Sequence, residues 1–87
     1  MRETKIYSDL EGMDIVRRTS APRPKILFGV AVEEFTIWLT NREVKRVREE
    51  ESHFEYLIQR IKGRGVDVID PVRAPDFDGS LRVQIRL

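Results

Sequence analysis

The sequence predicts an α+β domain in which one long helix, about residues 41–62, packs on a mainly antiparallel sheet of five or six short strands. Three patterns carry that expectation. Apolar runs bounded by turn residues flank the middle of the chain, a capping sequence followed by apolar residues at helical spacing occupies the middle, and a two-residue alternation runs without a fault from Leu81 to Leu87.

Taken in order, Lys5-Ile6-Tyr7 and Met13-Asp14-Ile15-Val16 flank Asp9-Leu10-Glu11-Gly12. Aspartate opening a turn and glycine closing it suit a type I turn, so these segments read as a hairpin. Ser20-Ala21-Pro22-Arg23-Pro24 follows as an extended connector, because each proline biases its predecessor away from helix. Lys25–Val32 is almost continuously apolar and reads as a central strand covered on both faces, with Gly29 marking a bulge. Phe35, Ile37 and Leu39 alternate with Thr36, Trp38 and Thr40, which reads as a further strand. Ala31, Phe35, Trp38 and Leu39 also fall at helical spacing, and the β-branched and aromatic content favours strand over that alternative.

Thr40-Asn41-Arg42-Glu43 is a capping box, in which the threonine oxygen accepts a backbone N–H and the glutamate reaches back to the cap. Val44, Val47, Glu51, Phe54, Ile58 and Ile61 then recur at alternating spacings of three and four, and Gly63 and Gly65 offer a left-handed stop. A second box, Ser52-His53-Phe54-Glu55, offers a restart if the helix breaks. Unbroken, this helix spans about 33 Å, against about 17–20 Å for a typical strand, so its first half overhangs the sheet. Val66–Asp70 reads as a strand bounded by Pro71, Asp78-Gly79 as a hairpin turn whose partner Pro75 keeps at an edge, and Leu81–Leu87 as an antiparallel strand with one apolar and one basic face.

The chain of 87 residues has room for one domain, residues 1–87, with a thin core. It contains no cysteine, which excludes disulfides, thiolate metal sites and a cysteine nucleophile, and with no apolar stretch suited to a signal peptide or membrane span it reads as cytoplasmic. A net charge of +1 lacks the excess of a dedicated nucleic-acid coat, so any such binding must come from a local patch.

Few residues suggest chemistry. His53 is the lone histidine, with Glu49 one turn before it, and without further nitrogen or sulfur ligands it reads as a solvated helix residue rather than a metal ligand. Asp76–Ser80 lacks the length and closing glutamate of a calcium loop and reads as a turn. Glu33, Glu34, Glu49, Glu50 and Glu51 are abundant carboxylates that read as a solvated charge run. With no nucleophile triad, phosphate cradle or dinucleotide fingerprint, the chain reads as a non-enzymatic binder needing no cofactor and no small-molecule substrate.

Two binding surfaces are expected. Val44, Val47, Glu51, Phe54 and Ile58 form a helix seam for a second copy or another protein, so the leading expectation is an interaction module that dimerises through the long helix or a sheet edge. The alternative is a nucleic-acid-binding accessory protein. It would use Arg17, Arg18, Arg23 and Lys25 from the basic segment with Arg82 and Arg86 of the last strand, provided that Trp38 or Tyr7 shares the face of those arginines.

Overall fold

The computed structural model describes residues 2–69, 71 and 79–87, with side chains from Ile6 onward. The element order is α1 (Arg2–Glu11), β1 (Val16–Thr19), β2 (Arg23–Leu27), β3 (Val30–Leu39), α2 (Asn41–Glu49), α3 (Glu51–Lys62), β4 (Asp67–Ile69) and β5 (Arg82–Arg86). The described strands form one antiparallel sheet, confirming the α+β class. β3 organises it. Its first half pairs with β2 and its second half with β1 along one edge, while β5 takes the opposite edge and carries β4 outside it.

The strand alternation sorts the side chains. Phe35, Ile37 and Leu39 of β3 and Val83 and Ile85 of β5 are buried, and they join Leu10 of α1, Val44 and Val47 of α2, and Phe54, Leu57, Ile58 and Ile61 of α3 in one core. Ile15, Val66 and Leu81 close that core at the connections. Each fully buried aliphatic side chain contributes about 1.5–3 kcal/mol, and this layer is the main favourable term available to a chain of this size. The other sheet face, carrying Thr36, Trp38, Arg82 and Gln84, is turned away from the core.

The expected first hairpin is instead helix α1. Ile6, Tyr7 and Leu10 lie on one helical face, where Leu10 is fully buried and Tyr7 packs edge-on against Phe35 at 5.1 Å between ring centres. The Tyr7 hydroxyl donates to the Thr19 carbonyl at 3.1 Å, tying α1 to β1. Asp9–Gly12 is thus the helix end, with the Gly12 amide donating to the Ser8 carbonyl at 2.9 Å. The 3.6-residue period of the apolar positions outweighs the local turn chemistry.

Lys25–Val32 is not one covered strand. It is the hairpin of β2 and β3, with Leu27 opposite Val30 and both turn residues left-handed, Phe28 at φ 52° and Gly29 at φ 78°. Two positive φ values in a two-residue connection match the twist of the flanking strands, so Gly29 is a turn residue rather than a bulge. The hairpin extends beyond β5, which pairs with β3 only from Glu34 onward, and Ile26, Phe28 and Val30 are 70%, 95% and 61% exposed. The expected Phe35–Leu39 strand is the far end of the same ten-residue β3.

The single helix over 41–62 is also corrected. Thr40 caps α2 as expected, its hydroxyl oxygen accepting the Glu43 amide at 3.3 Å, but the reciprocal half of the box is replaced, since the Thr40 amide donates to the Ile15 carbonyl and the Glu43 carboxylate turns to His53. At Glu50, however, the backbone turns extended (φ −127°, ψ 116°), and α3 starts at Glu51 without a side-chain cap, so the box at Ser52 does not set the restart. The Glu49-Glu50-Glu51 run explains why a break is tolerated there, since all three are exposed and offer the core nothing. At the far end Gly63 is right-handed, and the left-handed residue is Gly65, φ 88°. The Asp78-Gly79 turn, the Pro75 edge segment, the Asp76–Ser80 turn and the end of the Val66–Asp70 strand rest on residues outside those described.

The break also places the seam residues. Val44, Val47, Phe54, Ile58 and Ile61 are buried within this chain, and Glu51 is exposed. Ile58→Ala is therefore expected to lower stability by about 2–5 kcal/mol in denaturant unfolding, whereas Glu51→Ala stays within about 0.5 kcal/mol. Equal stability of the two variants would show that Ile58 is not a core residue.

Candidate functional site

The face of the sheet away from the core is built by register. Across the strands, Arg18 of β1 and Arg82 of β5 flank Trp38 of β3, and Gln84 lies beside Thr36. Further along, Arg23 and Arg86 flank Glu34, and Lys25 lies beside Val32. Period two on each strand puts these residues on one side.

Arg18 reaches this face through a bulge. Val16 is paired with Leu39 and faces the core, yet Arg18, two residues on, is paired with Trp38, only one residue back along β3. The extra residue, Arg17, shifts the parity of β1, so that Arg18 turns outward instead of following Val16 inward. Its guanidinium lies 4.2 Å from the centre of the Trp38 ring. Such a contact is electrostatically favourable, worth roughly 0.5–1 kcal/mol where exposed. Beyond Arg18 the contact continues at Ser20, whose amide donates to the Thr36 carbonyl at 2.8 Å and whose hydroxyl oxygen accepts the Thr36 amide at 2.8 Å.

Glu34 is the electrostatic hinge of the face. Arg86 donates to one of its carboxylate oxygens from Nε at 3.0 Å and from Nη2 at 2.7 Å, and Lys25 Nζ lies 3.6 Å from the other. The Arg86 hydrogen bonds, aided by the charges of Lys25 and Arg86, hold the Glu34 carboxyl below its ordinary value, although partial burial opposes the shift. Arg18, Arg23, Lys25, Arg82 and Arg86 therefore share a face with two acids, Glu34 and Asp67, which concentrates positive charge well beyond the chain's net +1. A cleft of about 460 Å³ opens here, with Trp38, Arg82 and Gln84 on one side and Ser20, Arg23 and Lys25 on the other. That volume lies in the range of small-ligand sites.

Of the expected nucleic-acid residues, Arg18, Arg23, Lys25, Arg82 and Arg86 are thus brought together, and Arg17 stands apart as the exposed bulge residue. Trp38 meets the condition of sharing the arginines' face, whereas Tyr7 lies across the sheet against Phe35. The seam residues Val44, Val47, Phe54 and Ile58 offer no surface, being part of the core.

His53 departs from its expected solvated state. It is 7% exposed, and its Nε2 lies 2.9 Å from Oε2 of Glu43, itself 3% exposed. Residues ten apart on an unbroken helix are separated by about 15 Å along the axis, so only the break at Glu50 brings this pair into contact. Tyr56 stacks on the His53 ring at 5.6 Å, and Arg42, Arg46 and Arg60 border the adjoining cleft, where Asp14 lies 3.8 Å from both Arg42 and Arg60. Sequence spacing hid the pair because it assumed a continuous helix. Among the described residues no group of three or more His, Cys, Asp or Glu is placed to hold a metal ion, and no helix is long and apolar enough to cross a membrane.

Two outcomes are expected from these contacts. A carboxyl held below its ordinary value stabilises the fold in full above the ordinary carboxylate range, and that contribution is lost as pH falls through the depressed value. Carbon-detected NMR titration of Glu34 should therefore give a midpoint below that of an unpaired glutamate, and Arg86→Gln should move it upward. An unmoved midpoint would mean that Arg86 does not set it. For the buried pair, His53→Ala removes the hydrogen-bond partner of Glu43 Oε2, leaving the carboxyl only the longer 3.9 Å contact of its Oε1 with Arg42, and is expected to reduce stability by about 1–3 kcal/mol in denaturant unfolding, with much of the loss recovered when Glu43 is also replaced by Leu.

In comparisons with known protein families, curated proteins and solved structures, the chain matches none.

Proposed function

We propose that this chain is a non-enzymatic binding module whose open sheet face takes up single-stranded nucleic acid. The observation that carries this reading is Trp38, set between Arg18 and Arg82 at the cleft on the face opposite the core. An aromatic ring on a sheet offers a stacking surface to any base, and an arginine plane lying against it extends that surface. Arg23, Lys25 and Arg82 line the same cleft and bring positive charge for phosphates, while Ser20, Thr36 and Gln84 offer hydroxyl and amide groups to base edges. Arg86 is largely engaged by Glu34, and its role is to set the charge and shape of the cleft wall.

The protein-interaction reading loses the helix seam, whose apolar members lie in the core, and passes to the exposed apolar surface of the β2–β3 hairpin. That surface is separate from the Trp38 cleft.

Fluorescence of Trp38, the chain's single tryptophan, gives a direct test with short single-stranded oligonucleotides. Binding should quench it at low salt. With two or three phosphates neutralised, log affinity should fall against log salt with a slope of about −1.4 to −2. Trp38→Ala, followed by anisotropy of a labelled oligonucleotide, should cost about 1–3 kcal/mol with that slope unchanged. Replacing Arg23 and Lys25 together by Gln should instead flatten the slope. Absence of binding at low salt, or an unaffected Trp38→Ala variant, rejects the proposal.

A further inference from the structure

The β2–β3 hairpin is the part of the molecule that its own fold explains least. From Ile26 to Val32 it carries no charge, and its tip residue Phe28 is 95% exposed. Phe28 also occupies a left-handed backbone position, φ 52°, where glycine, asparagine or aspartate relieves the strain that a bulky side chain incurs. Neither solubility nor turn stability accounts for a phenylalanine there.

The register of the hairpin places its apolar side chains all round the arm. Val30 and Val32 share the parity of Trp38 along β3, and Leu27 stands opposite Val30, so these three lie on the side that carries Trp38. Ile26 stands opposite Ala31, and both lie on the other side. With Ile26 70% and Val30 61% exposed, the arm is apolar on both faces as well as at its end. A partner laid against one face would leave the other in water, whereas a medium that the tip enters end-on covers both at once.

The charges at the base of the arm fit a lipid surface as that medium. Lys25 stands about 10 Å behind Phe28 at the rise of a strand, and Arg23 lies further back on the same side. Shallow insertion at the boundary of headgroups and acyl chains is about 5–10 Å deep, so an arm entering by its tip brings Lys25 to the level of the lipid phosphates with Arg23 just outside it. The first acids, Glu33 and Glu34, come behind Lys25, opposite Pro24 and Arg23, and Glu34 is already held by Arg86. Arg18 and Arg82 add positive charge farther along the side of Lys25. The uncharged stretch is far too short to span a bilayer, and at this depth water and headgroups still reach the outer backbone groups of the arm.

We infer that the β2–β3 hairpin is a membrane-docking arm, which seats Phe28, Ile26 and Val30 at the acyl boundary of an anionic lipid surface while Lys25 and Arg23 meet its phosphates. This docking does not rest on nucleic-acid binding. Trp38 lies about 26 Å along β3 from Val30 and stays outside the bilayer, although Arg23 and Lys25 border both the arm and the cleft.

Flotation of the nucleic-acid-free chain with phosphatidylcholine vesicles, with and without phosphatidylserine, tests it. The chain should float with the phosphatidylserine vesicles, and less of it as salt rises. Phe28→Asn is the informative variant. Asparagine suits the left-handed turn, so the hairpin is retained while the anchor is lost, and the partition coefficient should fall about 10-fold or more. Depth is read from Phe28→Trp in a Trp38→Phe background, whose emission should shift to the blue on the vesicles and be quenched by lipids brominated in the acyl chain. A chain that binds no anionic vesicle overturns the inference. So does binding that Phe28→Asn leaves intact, or that leaves the emission of the Phe28→Trp variant as it is in water, because either marks adsorption through surface charge alone. Self-association that rises with concentration and is abolished by Phe28→Asn, without vesicle binding, overturns it in favour of a protein partner.

Discussion

The two-residue alternation of β3 is the constraint on which the other features depend. Because Phe35, Ile37 and Leu39 must face the helices, Glu34, Thr36 and Trp38 have no choice but to face away. β5 repeats the arrangement with Val83 and Ile85 inward and Arg82, Gln84 and Arg86 outward, in direct register with β3. A slip of one residue would exchange the two sets, placing tryptophan and arginines in the core and isoleucine in water. Register is therefore enforced by the core, and the chemistry of the open face follows as its complement. The bulge at Arg17 is the one local departure, and it adds Arg18 to that face without moving Val16 from the core.

On the covered side, the break at Glu50 resolves a mismatch of lengths. One straight helix over 41–62 would leave Val44 and Val47 beyond the end of the sheet, where their burial would have no partner. Two helices separated by a single extended residue keep both valines and the Phe54–Ile61 face in one core. The loss of helical continuity is offset by that burial and by the Glu43–His53 contact, which fills polar capacity on both sides of the break. The aliphatic residues of both helices are thereby covered, and exposed aliphatic surface remains on the hairpin arm.

A division of labour along the length of β3 results. Near its C-terminal end, where β1 and β5 flank it on both edges, the strand is rigidly held and presents an aromatic ring among cations. Near its N-terminal end, where only β2 accompanies it, it presents apolar side chains and an open backbone margin. The two ends have different solvation, one suited to charged ligands and the other to an apolar surface, and Glu34 with its arginine and lysine partners lies between them.

Much of this was legible in the residues. The Thr40 cap, the strand character of Phe35–Leu39, the alternation of Leu81–Leu87 and the basic side of the last strand depend on local chemistry and near-neighbour periodicity, which the chain carries wherever it folds. The candidate cations Arg18, Arg23, Lys25, Arg82 and Arg86 could be named in advance, but their gathering on the face that carries Trp38 could not, since it needs the register between strands and the parity shift at Arg17. The same limit hid helix α1 behind turn-like residues and hid the Phe28-Gly29 turn inside an apolar run. It also hid the Glu43–His53 contact behind an assumed continuous helix. By itself the sequence determined which segments are apolar, where a helix starts and which strand has two unlike faces. Only the tertiary structure decided which elements share an edge, where the long helix breaks and which apolar residues stay uncovered, because those outcomes are set by burial competing across the whole fold rather than by any residue's neighbours in the chain.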